Sequence, residues 1–245
     1  MKLCAVSCEV FARECSRAAA VSPHVVTVKF LHFGLHDRPD ELRKTVQAEI
    51  DDASGGEYDS IVLAYGLCSR GTADLVARDT PIVIPRAHDC ITLLLGSRES
   101  YDREFAEHPG TYYYSPGWIE RKEGEVRQGN IEVVNDRRAE ERFRQYVEKY
   151  GEDNARYLIE QETLWLANYN RAAFIDVGLG DIEHYRRFTR QVAENRDWTY
   201  EEIPGDTSLL DRLLSADWDS SADFLIVHPG RRTIEDVNSG IISVV

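Results

Sequence analysis

The chain has 245 residues, of which 42% are hydrophobic and 29% are charged, and its formal net charge at pH 7 is -14. This length can build an apolar core that needs no disulfide or structural metal. The acidic balance argues against nucleic acid or an anionic membrane surface as the main partner, because both require a basic binding surface. The composition is therefore typical of a soluble enzyme or of a protein that binds a small molecule.

The cysteine pattern and the start of the chain predict a cytoplasmic protein. The short apolar start is soon interrupted by charged residues, which does not fit a secretion signal. No apolar segment approaches the roughly 18 residues that a membrane span requires. An odd number of cysteines without export features favours reduced thiols or thiolate ligands over a disulfide framework. The cysteines are Cys4, Cys8, Cys15, Cys68 and Cys90.

Strands and helices alternate in the first third of the chain. Short apolar, β-branched segments predict strands, and amphipathic segments predict helices. The predicted strands are "LCAVSCEV", "HVVTVKFLHFG", "GGEYDSIVLAYG" and "TPIVIPRAHDC", and the predicted helices are "FARECSRAAA" and "RPDELRKTVQAEIDDA". This alternation favours a parallel sheet covered by helices on both faces.

Strands and helices also alternate in the rest of the chain, which contains a charged, mainly helical insertion near residues 137–170. The tyrosine run at 112–114 predicts a strand, and Asp181 predicts the N-cap of a helix. Further strands are predicted in "RAAFIDVGLG", "WTYEEIPG" and "SSADFLIVHPGRRT", with helices in "DIEHYRRFTRQVAENR" and "DTSLLDRLLSADW".

These patterns predict an α/β protein with two Rossmann-like halves, each a mainly parallel sheet flanked by helices. Residues 1–110 form the first half and residues 111–245 the second. The segments "GGEYDSIVLAYGLCSRGT" and "SSADFLIVHPGRRT" share an acidic residue, an apolar strand and a loop with Gly, Arg and Thr, which suggests an internal pseudo-repeat. The alternative is that any two strand–turn units look alike at this level.

Three cysteines and a histidine follow predicted strands. Ligands bind outside the carboxyl ends of the strands in a parallel α/β sheet. Cys8 ends the first strand, Cys68 follows the third, and His88 and Cys90 follow the fourth. We therefore expect these side chains at one edge of the sheet. Cys4 inside the first strand and Cys15 in the following helix are assigned to structure.

Three thiolates and an imidazole at one edge suit a metal. Zinc in a catalytic site takes three protein ligands and leaves one position open, and it lowers the pKa of a bound thiol. A four-iron cluster held by three thiolates, with one iron free for substrate, is the alternative, and the spacing does not decide between them. Cysteines at strand ends are also often merely buried.

Other residues near these strand ends are candidates for binding or catalysis. Glu9 and Arg70 are assigned to catalysis with His88, and the loop with Arg70 and Thr72 suits an anionic substrate group. His228 occupies the repeat position of the third strand's loop, so we expect it to face the same cleft. The residues assigned to cofactor binding are Gly66, Gly71, Thr72 and His228. Trp118 and Trp165 are interpreted as core residues.

The motifs "YGLCSRGT" and "PRAHDCITLLLGS", followed by Tyr101, carry a family resemblance over nearly the whole chain. The chain resembles domain-of-unknown-function family 1638. Members of this family are often encoded beside corrinoid-dependent methyltransferase components, so the resemblance implies a role in one-carbon metabolism. A corrinoid protein or a methyltransferase is then an expected partner, with corrinoid reached through that partner. The matching positions are Cys8, Gly66, Cys68, Gly71, His88, Asp89, Cys90 and residues 93–97.

The leading hypothesis is a metal-thiolate enzyme or accessory protein in corrinoid-linked methyl transfer, with a small-molecule substrate. Cys8, Cys68 and Cys90 are the expected ligands, zinc the expected metal, and His88 a fourth ligand or a proton donor. One alternative is an iron–sulfur protein of desulfurase or lyase type with an open iron. Another is a non-catalytic module that binds a small molecule or a corrinoid.

The loop after the fourth predicted strand has two possible arrangements, which differ in whether the chain turns at Asp89. If the loop stays extended, His88 and Cys90 point to one side and Asp89 to the other. If the loop turns at Asp89, Cys90 begins the next helix, where the helix dipole would favour its thiolate.

Overall fold

The computed structural model describes residues 1–125, 143–164, 168–218, 222–236 and 241–245. Trp165 and residues 137–142 of the predicted helical insertion lie outside the described residues. The described part of the insertion is helical, as α6 over residues 143–150 and α7 over Glu152–Leu164. In the part of the chain that is described, no helix is both long and apolar enough to cross a membrane.

The first sheet has five strands in the order β2-β1-β3-β4-β8. The first four are parallel and β8 is antiparallel to β4. Every residue of β3 and β4 is buried, as expected for central strands covered on both faces. The strands are β1 Lys2–Cys8, β2 Val25–Leu31, β3 Ser60–Ala64, β4 Ile82–Pro85 and β8 Phe224–Val227.

Helices α1 (Ala12–Val21) and α2 (Pro39–Ala53) cover opposite faces of this sheet. Proline stands at the start of α2, where its missing N–H costs nothing, and two acidic residues follow it in the first turn. The buried residues of α2 recur at helical spacing and pack on Cys4, Val6 and Leu63. α9 (Ser208–Leu214) packs with α1 on the other face.

The second sheet has three parallel strands in the order β5-β6-β7. Asp181 caps α8, since its side chain accepts a hydrogen bond from the backbone N–H of His184 at 3.2 Å. That N-cap and the strand in the tyrosine run were predicted from the sequence. The elements are β5 Thr111–Tyr114, α5 Pro116–Glu125, β6 Arg171–Asp176, α8 Ile182–Asn195 and β7 Thr199–Pro204.

The predicted α/β class with parallel sheets and flanking helices is confirmed, whereas the internal repeat is not. The strand β8, which was compared with β3, pairs antiparallel with β4 at the edge of the first sheet. A hairpin of β9 (Thr233–Asp236) and β10 (Ile241–Val244) follows it. The chain therefore returns to the first sheet after forming the second one.

The carboxyl ends of the two sheets are close to each other. Gly117 at the start of α5 lies against the Val10 carbonyl that follows β1, so closely that a Cβ there would stand 1.8 Å from the oxygen. On the other side, the Asp206 N–H that follows β7 donates to the Leu94 carbonyl at 2.8 Å. Segments after the strands of one sheet thus contact segments after the strands of the other.

The helix α1 buries a carboxyl group in this region. Glu14 is fully buried, and neither of its oxygens has a hydrogen-bond partner among the described residues. Burial raises the pKa of Glu14 from 4.5 to about 7; Glu120 adds to the rise, while Arg13 and Arg17 oppose it. Glu14 is therefore largely protonated below neutral pH in the folded protein.

We expect Glu14→Gln to remove a pH dependence of stability. The folded protein keeps this proton up to about pH 7, whereas an unfolded glutamate loses it near 4.5. The stabilisation is complete below the unfolded pKa and is lost as the pH rises through the folded pKa. On the order of 3 kcal/mol should therefore disappear between these pH values in the wild type. Urea unfolding at about pH 5 and about pH 8 measures the slope.

The matched control is Glu99→Gln, because Glu99 is an exposed carboxylate on a helix of the same half of the chain. This variant should keep the wild-type slope. An equal slope in Glu14→Gln and in the wild type would contradict the assignment of this pH dependence to Glu14.

Candidate functional site

The first sheet brings Cys8, Cys68 and Cys90 to its carboxyl edge. Cys8 is the last residue of β1, Cys68 lies in the loop after β3, and Cys90 begins the short helix α3 (Cys90–Leu94) after β4. All three are partly exposed, whereas Cys4 and Cys15 are fully buried. The Cys8 and Cys68 thiols are near enough to contribute to the rise in the pKa of Cys90. The three cysteines therefore lie at the same edge of the sheet, while their role as ligands stays a prediction.

The backbone around Cys68 is left-handed over three consecutive residues other than glycine. The φ angles are 46° at Cys68, 55° at Ser69 and 72° at Arg70. Each such residue costs on the order of 1 kcal/mol, and such strain often occurs at functional sites. The Thr72 hydroxyl donates to the Gly66 carbonyl at 2.9 Å and closes the loop. Thr72 thus holds Cys68 in place through the backbone.

The loops after β3 and β4 are joined by backbone hydrogen bonds. The Leu67 N–H donates to the Ala87 carbonyl at 2.8 Å, and the Cys68 N–H donates to the His88 carbonyl at 3.0 Å. Gly66 permits this contact, since a Cβ there would lie 2.7 Å from the Asp89 nitrogen. Gly71 similarly leaves room for a methyl group of Leu42, 2.5 Å from where its Cβ would stand. These close contacts at Gly66 and Gly71 shape the loop after β3.

Asp89 caps α3. Its Oδ1 accepts hydrogen bonds from the backbone N–H groups of Ile91 at 2.9 Å and Thr92 at 3.4 Å. The loop therefore turns at Asp89, and Cys90 begins the helix, as in the second predicted arrangement. His88 is exposed and stacks on Tyr101, with ring centroids 5.4 Å apart. The Tyr101 hydroxyl in turn donates to Asp89 Oδ2 at 3.4 Å.

The three thiols are protonated at neutral pH in this environment. Burial raises the pKa of Cys8 from 9.0 to about 11 and that of Cys68 to about 12. Burial also raises the pKa of Cys90 well above 9.0, with Asp89 as the next largest cause. Burial and the adjacent Asp89 carboxylate therefore outweigh any stabilisation of a Cys90 thiolate by this helix of five residues, which the second arrangement of the loop had implied.

No described group of three or more His, Cys, Asp and Glu side chains is close enough together to hold a metal ion. The soft sulfur donors suit zinc or a cluster chemically, but the side chains do not converge in the orientations observed. A cysteine thiol moves by rotation about a single torsion, χ1, which has three staggered positions. Metal binding would therefore require the thiols to move from the positions observed.

Glu9 and Arg70 each interact with a group other than the three cysteines. Glu9 Oε1 accepts a hydrogen bond from the Phe33 N–H at 3.1 Å, and His32 Nε2 lies 3.8 Å from the same oxygen. The Arg70 side chain is 65% exposed and forms an ion pair with Glu235 at 3.0 Å. Glu9 therefore lies beside Cys8, whereas the Arg70 guanidinium binds Glu235 of β9.

His228 lies at the opposite edge of the first sheet, so the expectation that it faces the same cleft is wrong. Because β8 runs antiparallel to β4, Val227 stands opposite Ile82 at the amino end of β4. His228 follows Val227, whereas Cys90 follows the carboxyl end of β4. The sequence predicts which residues form a strand. The direction in which that strand joins the sheet depends on its pairing with a segment far away in the sequence, here β4.

Tyr65 was not predicted as a site residue. It follows β3 directly, is 3% exposed, and its hydroxyl has no hydrogen-bond partner within the described ranges. Cys8, Cys68 and Glu9 are close enough to contribute to the rise in its pKa, after the larger effect of burial. The signal in the sequence was the alternation of side chains in β3, which places Tyr65 on the same face as Ile61 and Leu63.

The family described as "Protein of unknown function (DUF1638)" matches residues 30–214. The chain belongs to this family. The matched segment contains Cys68, His88 and Cys90, and it begins after Cys8 and Glu9. No curated protein and no solved structure matches the chain. The family resemblance predicted from the sequence is confirmed, while the link to corrinoid-dependent methyl transfer stays a prediction.

We expect Gly66→Ala to disturb the junction of the two loops. The new Cβ would lie within 3 Å of backbone atoms of Asp89 and Ala87, which cannot move independently of the strands. Overpacking of this kind costs about 1–3 kcal/mol. Urea unfolding measures the loss, and the accessibility of Cys68 to a thiol reagent should rise with it.

Gly34→Ala is the control, because its Cβ would meet only the His32 ring, at 3.1 Å. It should change stability and thiol accessibility much less. Wild-type values for both quantities in Gly66→Ala would show that the close approach of the two loops is not required.

Proposed function

We propose that this chain is a metal-thiolate protein that uses Cys8, Cys68 and Cys90 to bind a soft divalent metal ion, with zinc as the first candidate. The observation that carries the proposal is the arrival of three thiols from three different strands at one edge of the sheet. The other two cysteines, Cys4 and Cys15, are fully buried, in contrast to these three.

The raised pKa values of the thiols fit a site that is neutral until a cation enters. Burying three thiolates without a counter-charge is unfavourable, so the thiols keep their protons. A soft cation would release these protons and supply the missing charge. Metal binding at this site is therefore expected to be strongly pH-dependent.

The proposed role is that of an enzyme or an accessory protein in corrinoid-linked methyl transfer. This finer assignment rests on the resemblance to family members encoded beside corrinoid-dependent methyltransferase components. Zinc would supply a reactive thiolate or a Lewis acid. His88 is exposed at the rim and is available for proton transfer, while Asp89 and Tyr101 position the loop that carries it. An iron–sulfur cluster with an open iron on the same thiols remains the first alternative.

A second candidate is a non-catalytic module that binds a planar molecule beside the thiols. Three stacked rings favour this binding module. The Tyr101 ring stacks on the His88 ring, with centroids 5.4 Å apart, and on the Phe105 ring, with centroids 5.9 Å apart. Phe105 is 59% exposed, and exposed stacked rings can receive another flat ring system. A corrinoid or another planar cofactor is the class of ligand that this surface would suit.

Replacing Cys8, Cys68 or Cys90 by Ser should each abolish metal retention, because each change removes one of three sulfur ligands. Metal analysis of protein purified without chelators measures this, and the absorption spectrum separates a colourless zinc site from a coloured iron–sulfur cluster. A wild-type protein that holds neither metal would favour the binding module.

Cys4→Ala and Cys15→Ala are the controls for these variants. Both residues are fully buried in the apolar core, so these changes should cost packing energy and leave the metal content intact. If Cys4→Ala loses metal to the same extent as Cys8→Ser, the assignment of Cys8 as a ligand is wrong.

We expect His88→Ala to keep its metal and to lose activity, if the three thiols hold the ion and His88 transfers a proton. The exposed position of His88, stacked on Tyr101, suits this role better than ligation. Metal content and turnover of the variant are measured together. Loss of metal in His88→Ala would make it a ligand instead.

A further inference from the structure

Arg98 is a partly buried arginine that lacks a counter-charge. Its Nε is inaccessible to solvent and has no hydrogen-bond partner, and within the described part of the chain no carboxylate pairs with its guanidinium. An arginine keeps its charge at every pH of interest, so removing it from water without a partner is unfavourable. The chain therefore holds a positive charge here that an anion from outside could compensate.

Arg86 lies close to Arg98, at the carboxyl edge of the first sheet. It follows Pro85, the last residue of β4, and its Nη1 donates to the Ile242 carbonyl of β10. Burial lowers the pKa of Arg86, and the charge of Arg98 lowers it further, against a smaller opposite effect of Asp236. The repulsion between the two guanidinium groups thus exceeds the attraction of Arg86 to Asp236.

The position of Arg98 is fixed because it begins a capped helix, α4 (Arg98–Glu107). The Ser97 Oγ accepts a hydrogen bond from the Ser100 N–H at 3.0 Å and donates to the Ser100 Oγ at 2.9 Å. The first N–H groups of a helix have no acceptor inside it, and the helix dipole places partial positive charge at this end. The backbone at Arg98 therefore adds to the positive potential of the two side chains.

The carboxylate beside Arg86 and the arginine first expected to bind an anion are both engaged elsewhere. The Arg86 N–H donates to the Asp223 carbonyl at 2.7 Å, but the carboxylate of Asp223 pairs with Arg212 at 2.8 Å. Arg70, which the sequence assigned to an anionic substrate group, pairs with Glu235 at 3.0 Å. The pair of Arg86 and Arg98 therefore suits an anion better than Arg70 does.

Two neighbouring guanidinium groups suit a doubly charged tetrahedral anion. Each guanidinium presents its N–H donors in a planar fork that matches the oxygens of a phosphate group. A phosphate group has oxygens for both forks and charge for both arginines, whereas a single carboxylate compensates only one of them. The carboxyl edge of a parallel sheet is also the place where such folds bind their ligands.

We propose that Arg86 and Arg98 form a binding site for the phosphate group of a small-molecule ligand. The site lies at the start of the loop that carries His88 and Cys90, so the ligand would reach the same edge as the three thiols. This inference goes beyond the proposed function and needs no metal at the cysteines. It assigns a phosphorylated compound as the class of ligand.

Arg98→Gln tests this inference with inorganic phosphate as the probe. Isothermal titration calorimetry of the whole chain measures binding, at constant ionic strength because salt screens the attraction. The wild type should bind phosphate, and the variant should bind it about 10- to 100-fold more weakly, since a hydrogen bond from a charged donor is lost. Phosphate should also raise the urea concentration at which the wild type unfolds, and not that of the variant.

Arg98→Lys and Arg103→Gln complete the set of variants. Arg98→Lys keeps the charge and the apolar stem, so it is the safer variant for folding, and it should bind phosphate with intermediate affinity because the planar fork is lost. Arg103 is an exposed arginine on the same helix. Its replacement by Gln changes the net charge by the same amount as Arg98→Gln and should leave the phosphate affinity at the wild-type value.

The inference is overturned if the wild type does not bind phosphate at millimolar concentration. It is also overturned if both Arg98 variants bind phosphate as the wild type does, or if Arg103→Gln weakens binding as much as Arg98→Gln. Acetate that binds as tightly as phosphate at the same ionic strength would contradict the choice of a doubly charged anion. The metal content of the cysteine variants tests the proposed function separately, so the two can fail independently.

Discussion

The close contact between the loops after β3 and β4 is the constraint on which the thiol edge depends. Gly66 lies against the backbone of Asp89, and the Cys68 N–H reaches the His88 carbonyl. This contact determines where Cys68 stands relative to Cys90 and holds the left-handed turn at Cys68 in place. A side chain at position 66 would separate the two loops, and the thiols would separate with them.

Burial lowers the reactivity of the three thiols but strengthens their interaction with a cation. It keeps the thiols protonated, so they are weak nucleophiles and resist casual oxidation. The same surroundings strengthen any interaction with a cation that does enter, because electrostatic interactions are stronger where the sulfur atoms are less exposed to water. Glu14 on α1 follows the same rule, since burial raises the pKa of its carboxyl group to about 7.

The sequence predicted the parts of the site that depend on local pattern. Apolar strands of four to seven residues, with Cys8 at the end of the first and Cys68 and Cys90 in the segments after the next two, placed the three thiols at one edge. The cap at Asp181 followed from its side chain and position. The position of His228 was not predictable in this way, because local sequence does not reveal that β8 runs antiparallel. The pKa of Cys90 was also beyond local pattern, since it depends on burial by distant segments.

The antiparallel edge strand also has a consequence for how the chain is made. The edge of β4 is covered by residues 224–227, which leave the ribosome more than a hundred residues after β4 itself. Until then the first sheet presents an open row of backbone groups beside an apolar strand, a surface prone to pairing with other chains. A fragment that stops after residue 110 would retain this open edge permanently. The first sheet therefore gains its last strand only after the strands of the second sheet have been synthesised.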